Sequence, residues 1–193
     1  MPRGSRPWFE DAGIAPDNIH DLVWWESKAM PISGGMYQDP SDAKSARIIF
    51  TPNNHLSRRG LSDHNKVLWG SWVVVGRKGH QFWFCGDTGY SDVFKQIGAR
   101  FGSFDMAAIP IGGYSPRATM IYTHVNPDEA LKIHDDVNSR MSFGIHWGTF
   151  VMTYEPYMEP KEKLAELMRE NPDKKPFHSI NIGETLEAAF AAH

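Results

Sequence analysis

Cysteine is nearly absent from this chain of 193 residues, in which Cys85 is the only one. An internal disulfide is therefore excluded, which fits a reducing compartment. Runs of about 18 apolar residues are also missing, so the sequence predicts no membrane-spanning helix. The first residues, MPRGSRPWFEDAG, carry basic side chains with no apolar stretch behind them, and we do not expect them to act as a secretory signal.

An excess of positive charge is absent as well. The chain has 20 lysine and arginine residues against 23 aspartate and glutamate residues, which gives a formal net charge of −3 at pH 7. A nucleic-acid-binding protein is expected to carry a basic patch, so this balance predicts no nucleic-acid partner. Tryptophan and phenylalanine are by contrast frequent, and most tryptophans fall in strand-like segments, which favours core packing over a membrane-facing belt.

Short apolar segments that end in glycine, asparagine or aspartate clusters recur along the chain, and they predict strands. The predicted strands are Arg47–Phe50, Val67–Val75, Gln81–Cys85, Asp105–Ile111 and Met141–Ile145.

Helical spacing of apolar residues predicts three helices between and after these strands. One covers Ser91–Phe101, another about Pro160–Glu170, and the best-marked one begins after Asn126, a good N-cap residue followed by proline. The residues from Pro31 to Ser45 are rich in glycine, proline and serine and predict a surface loop. Strands that alternate with helices indicate one α/β domain.

Three of the predicted strands lead into a side chain that can bind a metal. His55 ends the TPNNH segment, Asp87 stands in the GDTGY turn, and His146 follows the last strand directly. Loops at the carboxyl ends of strands bring polar groups together in α/β sheets, and two imidazoles with one carboxylate suit zinc. Each residue alone is more often an ordinary loop or turn residue. The same placement three times favours a metal site.

Two other reactive side chains have simpler explanations. Cys85 ends an apolar strand and is predicted to fill the core, and the carboxylate of Asp87 nearby would raise its pKa rather than activate it. His134 lies on the apolar stripe of its helix, so we predict that it packs there rather than binding a ligand.

Five segments are specific enough to indicate a family: HNKVLWGSW, FCGDTGY, DMAAIPIGGY, THVNPDEALKIHDDV and IHWGTF. They resemble the zinc-dependent phospholipases D of the metallo-β-lactamase fold that hydrolyse N-acylphosphatidylethanolamine. The resemblance extends from about Trp8 to about Glu184. It implies that residues 1–193 form only the C-terminal portion of a metallo-β-lactamase-like domain. The expected fold is α/β, the C-terminal half of a four-layer αββα sandwich.

The resemblance also implies roles for individual residues. In the family two zinc ions share a hydroxide, so His55 would bind one zinc, His146 the other, and Asp87 both, as a catalytic residue. His124 is expected near the lipid phosphate as a catalytic and substrate-binding residue. It precedes a helix whose N-terminal N–H groups and dipole suit a phosphate. Tyr90 is expected to line the substrate site, with packing as the alternative.

The implied reaction releases N-acylethanolamine and leaves phosphatidic acid, with a phospholipid as the substrate. Contact with a membrane surface is expected with that substrate. The single cysteine and the missing signal and spanning helix favour an intracellular location, either cytoplasmic or at the membrane periphery. Self-association into a homodimer is a further expectation.

One departure from the family pattern is large. The family has an upstream H-x-H-x-D-H motif, whereas none of the nine histidines here stands two residues from another. Because three residues would leave each zinc with two protein ligands, we expect weak zinc binding and little lipid hydrolysis by this polypeptide alone. Two alternatives stay open: another hydrolase of the same fold, acting on a lactone or a nucleic-acid phosphodiester, or a non-catalytic half that assembles with a partner.

Overall fold

The computed structural model describes residues 1–31, 45–58, 60–76 and 78–187. Within these ranges the chain forms one mixed sheet of seven strands together with five α-helices. In chain order the strands are β1 (Ser27–Pro31), β2 (Ser45–Thr51), β3 (Ser71–Val75), β4 (Gln81–Phe84), β5 (Met106–Pro110), β6 (Ser142–Ile145) and β7 (Phe177–His178). The helices are α1 (Arg6–Asp11), α2 (Val93–Phe101), α3 (Arg117–Met120), α4 (Pro127–Asp136) and α5 (Glu159–Glu170).

The strands lie in the sheet in the same order as in the chain. Strands β1 to β4 pair antiparallel with their neighbours, whereas β4 to β7 pair in parallel. Helix α2 connects β4 to β5, α4 connects β5 to β6, and α5 connects β6 to β7, as parallel neighbours require a crossover connection. The prediction of an α/β fold is confirmed.

One face of the sheet packs against the helices. Ile49, Val73, Trp83 and Ala107 stand in register across β2 to β5 on this face, and all four are buried. Helices α2, α4 and α5 place their apolar side chains in the same core, where Leu164 of α5 is fully buried. Alternate residues of a strand point to opposite faces, so this register determines which side chains the other face presents.

The other face of the sheet carries apolar side chains that remain partly exposed. We call it the open sheet face, formed by Ile48, Trp72, Val74, Phe82, Phe84, Met106 and Phe143. Phe82 and Phe143 stack with their ring centroids 6.4 Å apart, while Phe84 is 41% exposed. Apolar side chains that are half-buried on a sheet face are typical of a surface that another layer can cover.

The start of α4 is fixed by a capping box, as its sequence predicts. The side chain of Asn126 accepts a hydrogen bond from the backbone N–H of Glu129, and the carboxylate of Glu129 accepts one from the backbone N–H of Asn126. Pro127 occupies the first helical position, where its missing N–H costs nothing.

Most of the predicted strands and helices are confirmed to within two residues at their ends. The largest difference is at Val67–Val75, where the strand begins only at Ser71. The predicted loop from Pro31 to Ser45 lies almost entirely in residues 32–44, outside the described residues.

Candidate active site

The loops that carry the predicted ligands meet at one edge of the sheet because their strands run in the same direction. Strands β4, β5 and β6 are parallel, and β2 shares their direction because both β2 and β4 run antiparallel to β3. The residues that follow these four strands are therefore neighbours at the carboxyl edge. His55, Asp87 and His146 all lie in these segments.

Three imidazoles form a continuous line at this edge, which we call the histidine row: His55, His124 and His146. The ring centroids of His55 and His124 are 5.5 Å apart in an edge-to-face arrangement. Those of His124 and His146 are 5.2 Å apart, with the rings nearly parallel. His124 thus lies between the two histidines that were predicted as metal ligands.

Asp87 joins the row at His146. Its Oδ1 atom lies 3.5 Å from Nε2 of His146, and its side chain is about half exposed. His146 has a φ of 59°, in the left-handed region that non-glycine residues rarely adopt. Such strain is typical of functional positions, and here it accompanies a turn immediately after β6 that brings the ring to Asp87.

Two backbone carbonyl groups orient the outer histidines. Nδ1 of His55 lies 2.7 Å from the carbonyl oxygen of Leu56, and Nδ1 of His146 lies 2.9 Å from that of Gly112. A carbonyl oxygen only accepts hydrogen bonds, so each ring donates from Nδ1, and a neutral ring then has its lone pair on Nε2. This is the tautomer that binds a metal through Nε2, with the other nitrogen fixed by a backbone acceptor.

Two asparagines that the sequence analysis passed over attach the His55 loop to the Asp87 turn. The side chain of Asn53 donates hydrogen bonds to the carbonyl oxygens of Cys85 and Asp87, at 3.2 and 3.0 Å. The backbone of Asn54 forms a β-bridge with that of Gly89. The N–H of Asn54 donates to the hydroxyl of Thr88, and its carbonyl oxygen accepts from the same hydroxyl. The asparagine pair directly before His55 is the signal that could have identified this connection.

His124 is a neutral imidazole near pH 7. Burial, and then the neighbouring His146, lower its pKa to about 4, against an opposing effect of Asp87. Its Nδ1 atom is buried, and no hydrogen-bond partner for it exists among the described residues. The backbone around it is held by Arg117, which donates one hydrogen bond to the carbonyl oxygen of His124 and two to the carboxylate of Glu129.

The N-terminus of α4 offers less to a phosphate than its sequence suggested. The N–H groups of Asn126 and Glu129 are already bonded within the capping box, and Pro127 has none. Asp128 and Glu129 also place negative charge in the first turn, where it offsets the helix dipole. The expectation that this helix end presents free N–H groups is therefore corrected, because only Asp128 retains an uncommitted one among the first helical residues.

Tyr90 lies with α4 rather than with the histidine row. Its hydroxyl donates a 2.6 Å hydrogen bond to Asp136, and the ammonium group of Lys132 lies 3.9 Å from its ring centroid. Asp136 is the last residue of α4, whereas His124 precedes the first, so the two ends are about 15 Å apart. These contacts favour the packing alternative for Tyr90, and its role in lining the substrate site stays a prediction.

The two simpler explanations are confirmed. Cys85 is fully buried, and burial raises the pKa of its thiol well above the ordinary value. His134 is 1% exposed; its Nδ1 lies 2.7 Å from Oγ of Ser142, and its ring stacks on Phe177. Burial lowers the pKa of His134 to about 4, so it too is neutral at neutral pH.

The residues of the row fit the chemistry of a zinc site but not the number of ligands. Nε2 of His146 and the carboxylate of Asp87 are suitable donors that face each other. Across the described ranges, however, no three histidine, cysteine, aspartate or glutamate side chains converge closely enough to hold one metal ion. Zinc sites in proteins have three or four protein ligands. The described residues therefore do not complete a zinc site, and no reaction step through zinc follows from them.

Residues 3–147 match the beta-lactamase superfamily domain. The chain belongs to the beta-lactamase superfamily. This match covers β1 to β6 and the whole histidine row, including the segment in which His146 faces Asp87.

Within the superfamily, the chain is similar to phospholipases that act on one lipid. It is 44% identical over 196 aligned residues to the N-acyl-phosphatidylethanolamine-hydrolyzing phospholipase D 1 of Caenorhabditis elegans, an alignment that covers 98% of this chain and 52% of that protein. It is 35% identical to the mitochondrial N-acyl-phosphatidylethanolamine-hydrolyzing phospholipase D of Saccharomyces cerevisiae, over 96% of this chain and 38% of that protein. The chain thus spans about half the length of the first relative and 38% of the length of the second.

A solved structure shows the same fold. The metallo hydrolase Igni18 from the archaeon Ignicoccus hospitalis superposes with a TM-score of 0.60, over 96% of this chain and 67% of that one, at 19% identity. The predicted metallo-β-lactamase fold is confirmed. Among the described residues, no helix is both long and apolar enough to cross a membrane.

Proposed function

We propose that this chain carries part of the active site of a phosphodiesterase that hydrolyses N-acylphosphatidylethanolamine to N-acylethanolamine and phosphatidic acid. The observation that carries the proposal is the histidine row with Asp87 at the carboxyl edge of the sheet. The similarity to two phospholipases that bear this lipid in their names supports the choice of substrate.

In this proposal His146 and Asp87 bind metal. His55, which lies on the opposite side of His124 from His146, belongs to the same site. Zinc, which the family resemblance implies, would supply Lewis-acid chemistry to a site that further ligands complete. Such an ion needs further ligands, which the described residues do not bring together at this site.

His124 is proposed to contact the lipid phosphate. As a neutral imidazole it can donate one hydrogen bond to a phosphoryl oxygen without adding a charge to the site. Arg117 holds the backbone of His124 against the start of α4, which fixes the ring between the other two imidazoles. A donor that is fixed in advance can stabilise charge that develops on the phosphoryl oxygens.

Contact with a membrane surface is part of the same proposal. The segment after His146 exposes Phe150 (65%) and Val151 (77%), which line the same cleft as His146, and further along it exposes Tyr154 (84%). Exposed apolar and aromatic side chains beside a site for a lipid suit the boundary between headgroups and acyl chains. Co-sedimentation with phosphatidylcholine vesicles that contain the lipid substrate should fall when Phe150 and Val151 are both changed to serine.

The test of the lipid hydrolysis is complementation. The chain is expressed alone and together with the part of the Caenorhabditis elegans relative that it does not match, which we expect to carry the H-x-H-x-D-H motif. Only the co-purified pair should release N-acylethanolamine, and either a chelator or His146→Ala in this chain should abolish the release. A co-purified pair that contains zinc and leaves this lipid intact would reject the proposed substrate; cleavage of a lactone or a nucleic-acid phosphodiester by that pair would favour the other hydrolases of this fold.

The open sheet face favours a second candidate function, in which the chain is a non-catalytic half that assembles with a partner or with a second copy. Four large aromatic side chains, Trp72, Phe82, Phe84 and Phe143, lie on this face and are incompletely covered. Assembly without any hydrolysis by the complemented pair would support this function over the first.

A further inference from the structure

A loop of two glycines forms the wall behind the histidine row. This loop, Gly112–Ser115, follows β5 and is called here the glycine loop. A Cβ atom on Gly112 would lie 2.5 Å from the carbonyl oxygen of His146, and one on Gly113 would lie 2.9 Å from Cε1 of His146 and 3.6 Å from Nδ1 of His124. Gly113 also has a φ of +82°. The backbone of the loop therefore approaches His146 more closely than a side chain at either position would allow, and at Gly113 it also lies beside the ring of His124.

The glycine loop also orients His146. The carbonyl oxygen of Gly112 is the acceptor for Nδ1 of this ring. A displacement of the loop would change the hydrogen bond that fixes the tautomer, and with it the direction of the Nε2 lone pair toward Asp87.

One carboxylate holds this loop in place. Oε1 of Glu155 accepts a 2.6 Å hydrogen bond from the backbone N–H of Gly113, and Oε2 accepts a 3.0 Å bond from that of Ser115 and another from the hydroxyl of Thr153. Burial opposes the charge, but the hydrogen bonds from Thr153 and from the backbone hold the pKa of Glu155 below its ordinary value. The carboxylate is therefore ionised at neutral pH, and such hydrogen bonds are stronger than those between neutral groups.

We propose that Glu155 is a positioning residue for His146 and His124, acting through the glycine loop that its carboxylate binds at two backbone amides. It does not touch the reacting atoms. The role rests on the proposed hydrolase function, since positioning the row has a catalytic meaning only if the row belongs to an active site.

Glu159 provides a matched control. It also contacts the glycine loop, but through a side chain: its carboxylate accepts a 2.6 Å hydrogen bond from the hydroxyl of Tyr114, and it pairs with Lys163. In the described part of the chain, its carboxylate accepts no hydrogen bond from a backbone amide of the loop, since those of Gly113 and Ser115 donate to Glu155. Glu159→Gln removes a carboxylate of the same size from the same neighbourhood.

The first test is nitrogen NMR of the histidine side chains in the 193-residue chain. The wild type should show His146 as one tautomer with the proton on Nδ1. Glu155→Gln should convert this signal into a mixture of tautomers and shift the signal of His124, while Glu159→Gln should leave both at the wild-type position. Thr153→Val, which removes one of the three hydrogen bonds, should give a smaller change in the same direction.

The second test uses the complemented pair described above. Glu155→Gln should lower kcat by roughly tenfold to a hundredfold with little change in KM, the effect typical of a residue that orients a ligand. A folded Glu155→Gln chain whose His146 and His124 signals match the wild type would overturn the proposal. The NMR result does not depend on turnover, so inactivity of the wild-type pair would reject the proposed function and leave the positioning role to be decided by the spectra.

Discussion

Nε2 of His146 lies 3.5 Å from Oδ1 of Asp87, although the two residues follow different strands, β6 and β4. The contact depends on the shared direction of those strands and on the left-handed backbone of His146. Ordinary hydrogen bonds hold the loops on each side of this pair: the side chain of Asn53 donates to the carbonyl oxygen of Asp87, and Nδ1 of His146 donates to that of Gly112.

Asn53→Ala should destabilise the chain and loosen the attachment between the His55 loop and the Asp87 turn. The carbonyl oxygen of Asp87 would lose its donor in a partly buried place, while that of Cys85 would keep the hydroxyl of Ser71, and we expect a cost of about 1–2 kcal/mol in the free energy of unfolding. Urea unfolding measures this change. Asn54→Ala is the control: its hydrogen bonds to Thr88 and Gly89 are made by the backbone, and we expect a clearly smaller loss. Equal losses at the two positions would argue against the assigned role of Asn53.

Tyr90→Phe should affect stability and not turnover. The change removes the hydroxyl that donates to Asp136, and we expect a loss of about 1–2 kcal/mol in the free energy of unfolding because the acceptor is charged. The complemented pair should keep its kcat and KM for the lipid. A selective rise in KM with unchanged stability would restore the substrate-binding role that the sequence suggested for Tyr90.

The stability of the chain should fall when the pH is lowered from 7 to 5. Burial lowers the pKa of His134 to about 4, below the value of about 6.5 for the unfolded chain, so the unfolded state binds more protons between these values. His134 alone should then account for a loss of about 2 kcal/mol between pH 7 and pH 5. His124 acts in the same direction for the same reason.

The control for this pH effect is His134→Gln, which cannot titrate and can still hydrogen-bond to Ser142. Its free energy of unfolding should be lower at pH 7 but should depend less steeply on pH than that of the wild type. An identical slope for both chains would show that His134 does not carry the effect.

Phe84→Ser should weaken self-association if the open sheet face drives it. Phe84 is 41% exposed on that face, and covering its ring in a dimer is worth about 1–2 kcal/mol, or roughly tenfold in Kd. Sedimentation velocity over a range of concentrations measures the effect. Leu61→Ser alters a residue that is 94% exposed and lies outside the sheet, and it should leave the association unchanged.

The pattern of strands and helices could be predicted from local signals, whereas contacts with distant segments could not. Val67, Leu68 and Trp69 look like the start of a strand, yet the N–H of Leu68 donates to Arg3 and the carbonyl oxygen of Trp69 accepts from the ring of Trp24. These residues pair with the N-terminal segment rather than with the sheet, and tertiary contacts override a local preference for β structure in such a case.

The same distinction applies to the site. His55, Asp87 and His146 could be predicted as candidate ligands because each follows a strand with a recognisable ending. Glu155 was missed because it lies in an irregular segment, and its partners Gly113 and Ser115 are 42 and 40 positions away in the sequence. The capping residues of α4 could be predicted from the sequence. That their hydrogen bonds leave few free N–H groups for a phosphate could be seen only in the structure.

Zinc affinity tests the central claim, that this chain supplies only part of a metal site. Competition with a chromophoric chelator gives the Kd of zinc for the chain alone, for its His146→Ala variant and for the complemented pair. We predict that the chain alone binds zinc on the order of a hundredfold more weakly than the pair, since the missing ligands carry most of the binding free energy. His146→Ala should remove the tight binding from the pair. Tight, stoichiometric zinc in the isolated chain would contradict the account.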